Sequence, residues 1–425
     1  MNHVFLYIIA GYTIIMLFVF CSYVFSISLL PKSKKTDFYY DETQDNTVIY
    51  LMIPCLNEEA VIESTLKSLL KSAPENLRIY VIDDASTDNT AEIVKGFKDK
   101  RVHLFRRKKP DAQTGKGNAL NACYCHIAEK LNTTNLNPNE VLIGVFDADA
   151  HIADDHYTII KKYFHDPEVG AVQSRIKMAE TKNLLQKMQN YEFQVEITAI
   201  QNSREYMDSV CLGGNGQYMR FSTLRSLDGS PWGTCLLEDF EIGLKVLLKG
   251  WGTKFAIETE VEQQALKSYR YFIKQRSRWV QGNIQSLAYC KDIFKSKVSK
   301  VTKLDLCYFL SQSWNGLIGI FLSIFYAAML IMAVHVVFFA GNPLTASQSQ
   351  SIILLITIIA LNYLPSFILY LWKCSYMNRR GEWKQDLICL LFNPVYRVMM
   401  YPAILLAFKR QFLGQKGWIK TKRNV

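Results

Sequence analysis

Three acidic clusters and one basic, aromatic stretch hold the chemistry open to this 425-residue chain. The acids are Asp83-Asp84, Asp147-Ala148-Asp149 and Glu238-Asp239, and downstream of all three stands Gln275-Arg276-Ser277-Arg278-Trp279. Separate carboxylate clusters can hold a cation beside a nucleotide's phosphates and also remove a proton. A guanidinium and an indole can grip a diphosphate and a sugar face.

Each cluster also has a plainer reading. Asp83-Asp84-Ala85-Ser86-Thr87-Asp88 has the composition of a turn and a helix cap. Glu238-Asp239 opens a helical pattern that runs to residue 248, where acids suit the helix dipole without any substrate. Asp147 and Asp149 are harder to explain that way. Two carboxylates at i and i+2 beyond a buried strand put charge at a sheet edge, which is costly without a cation. Gln275 and Arg278 share one helical face with Trp279 adjacent. Tyr269, Tyr271, Phe272 and Val280 supply apolar surface for that helix to lie in a membrane interface.

The elements that must position these groups follow from the residue pattern. Residues 48–53, 78–82 and 141–146 read as strands, and residues 60–71 and 90–97 as helices. Strands alternating with helices predict an α/β sheet, in which ligands sit at the carboxyl ends of the strands. Asp83-Asp84 and Asp147-Ala148-Asp149 fall at such ends. Thr114-Gly115-Lys116-Gly117-Asn118 has neither the P-loop spacing nor the dinucleotide fingerprint, which excludes ATPase and Rossmann dehydrogenase readings. Gly213-Gly214-Asn215-Gly216-Gln217 lacks side chains where a backbone must approach an acceptor closely.

Residues 4–30 carry no charge, a run longer than the ~20 residues that cross a bilayer. Lys32, Lys34 and Lys35 follow it, so the positive-inside rule puts the next domain in the cytoplasm. A second uncharged run, residues 306–372, is interrupted by Gly341-Asn342-Pro343 and reads as a helical hairpin. Ten cysteines in a cytoplasmic setting are read as thiols. Cys123, Cys125 and His126 lack a second ligand pair with zinc spacing and are read as helix residues. The net charge of +11 gathers beside the apolar runs, in residues 295–303, 379–384 and 409–423, which points to anionic lipid and not to nucleic acid.

Taken together, the acidic clusters and the Gln-x-x-Arg-Trp pattern resemble the membrane-embedded family 2 glycosyltransferases, the group holding cellulose, hyaluronan and poly-N-acetylglucosamine synthases. The resemblance runs over residues 48–285 and loosely beyond. It implies an α/β fold with a GT-A-like nucleotide-diphospho-sugar transferase domain and α-helical transmembrane and interfacial segments. The implied layout is an anchor (1–35), a catalytic domain (45–265), interfacial helices with the Gln-x-x-Arg-Trp motif (266–305), spans at 306–340 and 350–372, a re-entrant, interfacial or transmembrane segment (387–408) and a basic tail (409–425).

The resemblance also implies roles. Asp83 or Asp84 would accept from the uracil ring, Lys116 would lie near the donor, Asp149 would hold Mg²⁺ or Mn²⁺, and Asp147 would lie near the ribose or metal. Asp239, with Glu238 beside it, would be the general base, Arg278 and Gln275 would steady the diphosphate, and Trp279 would stack on the acceptor sugar. The implied reaction is inverting transfer from a UDP-sugar, UDP-glucose first and UDP-N-acetylglucosamine second, to an exported β-linked polysaccharide. The alternative is a lipid glucosyltransferase acting on a diacylglycerol or polyprenyl acceptor. A silent membrane scaffold is disfavoured by the retention of every acidic group. With so few spans, association of chains into a homo-oligomer is one way to line a pore.

Overall fold

The computed structural model describes residues 46–227, 229–339, 363–375 and 383–415. The expected anchor, most of the second arm of the hairpin and most of the basic tail lie outside them.

An eight-stranded mixed sheet forms the centre, in the order β3-β2-β1-β4-β7-β6-β8-β5. Its strands are β1 (Val48–Cys55), β2 (Leu77–Asp83), β3 (Val102–Arg106), β4 (Val141–Val145), β5 (His151–Ile152), β6 (Val169–Ala179), β7 (Gln217–Arg220) and β8 (Gly252–Gln264). β1, β2, β3 and β4 run parallel, with Cys55 level with Asp83. β7 pairs antiparallel with both β4 and β6, and the long ladder β6–β8 is parallel again.

β1 shows why a sheet covered on both faces forms. Ile49, Leu51 and Ile53 enter one core with α1 (Ile62–Lys71), while Met52, one residue out of phase, enters a second core with Tyr80 and Ile82. That is the period of two of a strand, and near-continuous apolar sequence is its mark when helices lie on both sides. Ten residues of α1 cover the first face, through Ile62, Leu66 and Leu69. The second is covered by α3 (Lys116–Asn132), through Leu120, Cys123 and Ile127, after the short α2 (Thr90–Gly96). Cys123, Cys125 and His126 therefore lie on a helix, and every cysteine among the described residues is a free thiol.

Beyond α4 (His156–Tyr163) a long helical stretch crosses the mouth of the sheet. It comprises α5 (Leu184–Tyr191), a π-helical segment Glu192–Ile197 and α6 (Thr198–Tyr206). α7 (Phe221–Ser226) and α8 (Glu238–Leu248) complete the sheet domain, and α9 (Tyr269–Gln285) leaves it. α10 (Cys290–Lys295) leads into the 40-residue α11 (Lys300–Phe339). Residues 363–375 form α12, followed by α13 (Trp383–Met399) and α14 (Tyr401–Phe412).

One expectation changes here. α9 does not offer Phe272 to an interface: Phe272 is fully buried against Tyr396 of α13, because α13 and α14 pack over α9. Residues 387–408 are helical with a break at Met400, and polar side chains dock them: Asn393 donates to Glu196 at 2.8 Å and Tyr396 to Glu192 at 2.7 Å. Trp383–Phe412 is nevertheless the one stretch among the described residues long and apolar enough to cross a membrane by composition. Its outward side is apolar, with Leu391, Val395 and Val398 more than half exposed.

The start of α11 is fastened to the sheet domain by polar contacts. Arg204 and Asp305 form a buried ion pair at 3.0 Å, Ser209 also donates to Asp305, and Ser313 donates to Asn283 at 2.6 Å. Further along α11, Phe321, Ile324 and Ile331 are 65–70% exposed.

Candidate active site

A single cavity of about 1010 Å³ opens at the carboxyl ends of β1, β2 and β4 and continues beneath α9 to Phe309 and Ser313 on α11 and Ile404 on α14. On its wall stand Asp84, Lys116, Asp147, Glu238, Asp239, Gln275, Arg278 and Trp279, which sequence separates by up to 195 positions.

The adjacent aspartates after β2 divide the work. Asp83 is fully buried, accepts from the Ser86 amide at 2.9 Å and pairs with Arg106 at 3.0 Å, so it builds the turn. It is absent from the cavity wall. Asp84 faces the cavity, where it takes the Arg107 guanidinium and the Gln113 amide at 3.0 Å. The turn reading thus holds for Asp83, and Asp84 is the one of the two within reach of a ligand.

A similar division separates Asp147 from Asp149. Asp149 is 1% exposed, lies off the cavity wall and accepts from the Gln264 amide of β8 at 3.0 Å. The carboxylate that projects into the cavity is Asp147, whose own amide is held by Asn215 at 3.2 Å. The reason is the register of the sheet edge: β8 brings an amide to the second acid and leaves the first pointing outward.

Lys116 opens α3 and lies at the centre of the acids. Its ammonium is 2.8 Å from Asp147 Oδ1, 3.7 Å from Glu238 Oε1, and donates to the Gly214 carbonyl at 3.2 Å. Burial alone would depress it, but Asp147 and Glu238 outweigh that and hold it above the ordinary lysine range. Gly214 lies tightly against this cluster, since a Cβ there would sit 3.1 Å from both Lys116 Nζ and Asp239 Oδ2. The glycine segment thus lies against the charged cluster and on the cavity wall.

Asp239 stands in the first turn of α8, its Oδ1 accepting from the Phe240 amide at 2.8 Å. Burial, and then the Glu238 charge, push its pKa up to about 7, against the opposing pull of Lys116, the Phe240 amide and Arg278. A carboxylate poised near neutrality can both take and return a proton. The segment leading into α8 is clamped by α9: the Leu236 amide donates to Gln285 at 2.9 Å and Cys235 Sγ to the Gly282 carbonyl at 3.3 Å. Gly282 permits the contact, because a Cβ there would lie 2.7 Å from the Leu237 amide. The helix carrying Gln275, Arg278 and Trp279 is thereby held against the start of the helix carrying Asp239.

Sequence reasoning missed Glu192, Glu196 and Arg276. Both glutamates line the cavity from the π-helical segment, and Arg276 grips Glu192 with two hydrogen bonds of 2.7 and 2.6 Å. The available signal was that Glu192 and Glu196, four apart, are the only charges in residues 188–203.

Among the described residues no three acid, histidine or cysteine side chains are grouped to hold a metal ion. The acid that faces the cavity beside the Lys116 ammonium is Asp147, an oxygen donor of the kind a hard divalent cation takes.

Known proteins resemble this chain over the stretch that holds these residues. The model of a family described as glycosyltransferase like family 2 matches residues 46–282. The poly-beta-1,6-N-acetyl-D-glucosamine synthase of Staphylococcus aureus (strain COL) is 28% identical over 284 residues, which cover 65% of this chain and 63% of that protein. The chain thus matches somewhat under two thirds of that relative's length. The synthase of the same name from Staphylococcus epidermidis is 25% identical over 404 residues, covering 93% of this chain and 90% of that protein. Among solved structures, a mannosyltransferase from Pyrobaculum calidifontis, in complex with GDP-Man and Mn²⁺, superposes with a TM-score of 0.55 at 17% identity, covering 94% of this chain and 98% of that one. At that identity the likeness speaks for the fold alone, and it is the GT-A-like fold expected from the sequence.

Proposed function

The chain belongs to the glycosyltransferase-like family 2 and is a sugar-transferring enzyme, and we propose that it moves N-acetylglucosamine from UDP-N-acetylglucosamine onto the end of a β-1,6-linked polymer at the cytoplasmic face of a membrane. The sugar is taken from the named activity of the staphylococcal relatives, in place of the glucose that came first from sequence. The observation that carries the proposal is the single cavity that gathers Asp84, Asp147, Asp239, Arg278 and Trp279, with Asp239 held near pKa 7.

In this reading Asp84 accepts from the base of the nucleotide, and Lys116 and Arg278 face the diphosphate with Gln275 beside them. Asp147 and Asp149 would hold a divalent cation, Mg²⁺ or Mn²⁺, which when bound would neutralise charge on the departing diphosphate. Asp239 takes the proton of the acceptor hydroxyl as that oxygen attacks the anomeric carbon, while the diphosphate leaves from the opposite face. One displacement inverts the centre, so an α-linked donor gives a β-linked product. Glu238 keeps Asp239 basic enough for the task, and Trp279 offers its ring to the acceptor sugar.

The outward apolar faces of α11, α13 and α14 sit in lipid in this reading, with the expected spans beside them. The extension of the cavity to Phe309, Ser313 and Ile404 also suits a second reading, a lipid acceptor entering from the bilayer. The test is to give detergent-purified protein radiolabelled UDP-N-acetylglucosamine or UDP-glucose and separate products by size and solvent extraction. High-mass material from UDP-N-acetylglucosamine, cut by a β-1,6-N-acetylglucosaminidase, is the expected outcome. A product wholly soluble in organic solvent and dependent on added lipid would overturn it in favour of the second reading.

A further inference from the structure

Arg276 has no role in the reaction described above, yet it is among the most constrained side chains in the molecule. It is 3% exposed, and a guanidinium so buried is costly unless it is paired and hydrogen-bonded. Glu192 supplies a two-pronged carboxylate at 2.7 and 2.6 Å, and the Tyr396 hydroxyl donates to the same carboxylate at 2.7 Å. Three separate elements meet here: the π-helical segment, α9 and α13. The flat guanidinium then lies over the indole of Trp279, 4.3 Å from the ring centroid, and 5.0 Å from that of Phe272. Phe193, the residue after Glu192, meets the Trp279 ring edge-on at 6.3 Å.

The indole is thus fixed by neighbours, Arg276 and Phe193, that line the cavity with it. A π-helical turn shifts the residues after it around the helix axis relative to an α-helix, a device frequent at functional sites. Here that segment brings Glu192 to Arg276 and Phe193 to Trp279. A lysine would keep the charge at position 276 but not the fork that satisfies both Glu192 oxygens, nor the plane that covers the ring.

We propose that Arg276, locked by Glu192 and Tyr396, is a positioning residue that sets the Trp279 indole for the acceptor sugar and thereby couples the seating of α13 to acceptor binding. The proposal rests on the acceptor role given to Trp279 above. α13 carries Tyr396 on its docked side and bare apolar residues on the other, so its seating against the membrane reaches the acceptor site through one hydroxyl and one ion pair.

The test measures KM separately for UDP-N-acetylglucosamine and for a short β-1,6-linked N-acetylglucosamine oligomer, in the full-length protein and in Trp279→Ala, Arg276→Lys and Tyr396→Phe. Loss of a desolvated cation–ring contact is expected to raise the oligomer KM about three- to thirty-fold in Arg276→Lys, and by less in Tyr396→Phe, with donor KM changing less than about two-fold. Tyr396→Phe removes only an oxygen, so it answers the question even if Arg276→Lys fails to fold. If Trp279→Ala raises oligomer KM while Arg276→Lys and Tyr396→Phe leave it unmoved, the positioning proposal fails alone. If Trp279→Ala itself leaves oligomer KM unchanged, the acceptor role of Trp279 fails and the positioning proposal with it. Equal rises in both KM values would also overturn it, by marking Arg276 as a general support of the fold.

Discussion

Replacing Glu238 with Gln moves the acid limb of transfer to lower pH. Asp239 carries a pKa of about 7 because it is buried and because the Glu238 carboxylate stands beside it. At pH 6 a group with that pKa is about one-tenth ionised and at pH 8 about nine-tenths, so wild-type kcat/KM rises about ten-fold across that interval if Asp239 is the base. Glu238→Gln removes the second largest cause of the elevation while Lys116, the Phe240 amide and Arg278 still pull downward. A neighbouring charge of this kind shifts a carboxylate by about one unit, which puts the limb near pH 6 and leaves the variant at about half its own plateau there.

The same shift has a stability consequence of definite sign. The folded pKa lies above the unfolded value of 3.8, so below pH 3.8 the group is neutral in both states and costs nothing. Between 3.8 and 7 the unfolded chain ionises first and stability falls, with the full cost, roughly 4 kcal/mol for about three units, reached above pH 7. Asp239→Asn therefore melts at a higher temperature than wild type at pH 8 and at the same temperature at pH 4. The assay is kcat/KM for UDP-N-acetylglucosamine from pH 5 to 9, with melting followed in parallel. An acid limb that stays in place or moves upward in Glu238→Gln refutes the reasoning.

Three further outcomes follow from the geometry. Asp147→Asn, which removes the carboxylate facing the cavity, lowers transfer about 10²-fold and abolishes the Mn²⁺ dependence of UDP binding, whereas turnover unaffected by excess chelator in wild type would remove the cation from the account. Gly214→Ala, whose new Cβ would lie 3.1 Å from Lys116 Nζ and Asp239 Oδ2, lowers kcat/KM about three- to ten-fold with melting shifted by less than about 1 kcal/mol, as read by steady-state kinetics and thermal denaturation. Asp305→Asn removes the carboxylate paired with the buried Arg204 at 3.0 Å and costs about 3 kcal/mol in denaturant unfolding, loosening the start of α11 from the sheet domain.

The parts legible in the sequence were those set by local pattern. The parallel strands β1, β2 and β4 showed as short apolar runs, and their carboxyl ends located two acidic clusters because chain direction and sheet order agree there. The start of α8 and the shared face of Gln275 and Arg278 followed from helical spacing. What stayed hidden depends on partners distant in the chain. Asp149 is turned from the cavity by an amide 115 residues away, and Asp83 by an arginine on the neighbouring strand. No periodicity distinguishes the acid that faces a ligand from the acid that completes a turn. The β6–β8 ladder was missed because its strands pair across some eighty residues and mix charged with apolar positions. Phe272 read as interfacial surface because its burial comes from α13, more than a hundred residues on.

The central claim is that Asp239 removes the acceptor proton, and the most direct measurement compares UDP affinity with turnover in Asp239→Asn. Affinity by calorimetry within a few-fold of wild type, together with turnover lower by about 10²-fold or more, is the predicted result. Equal losses in both quantities would contradict it and assign Asp239 to holding the donor site together.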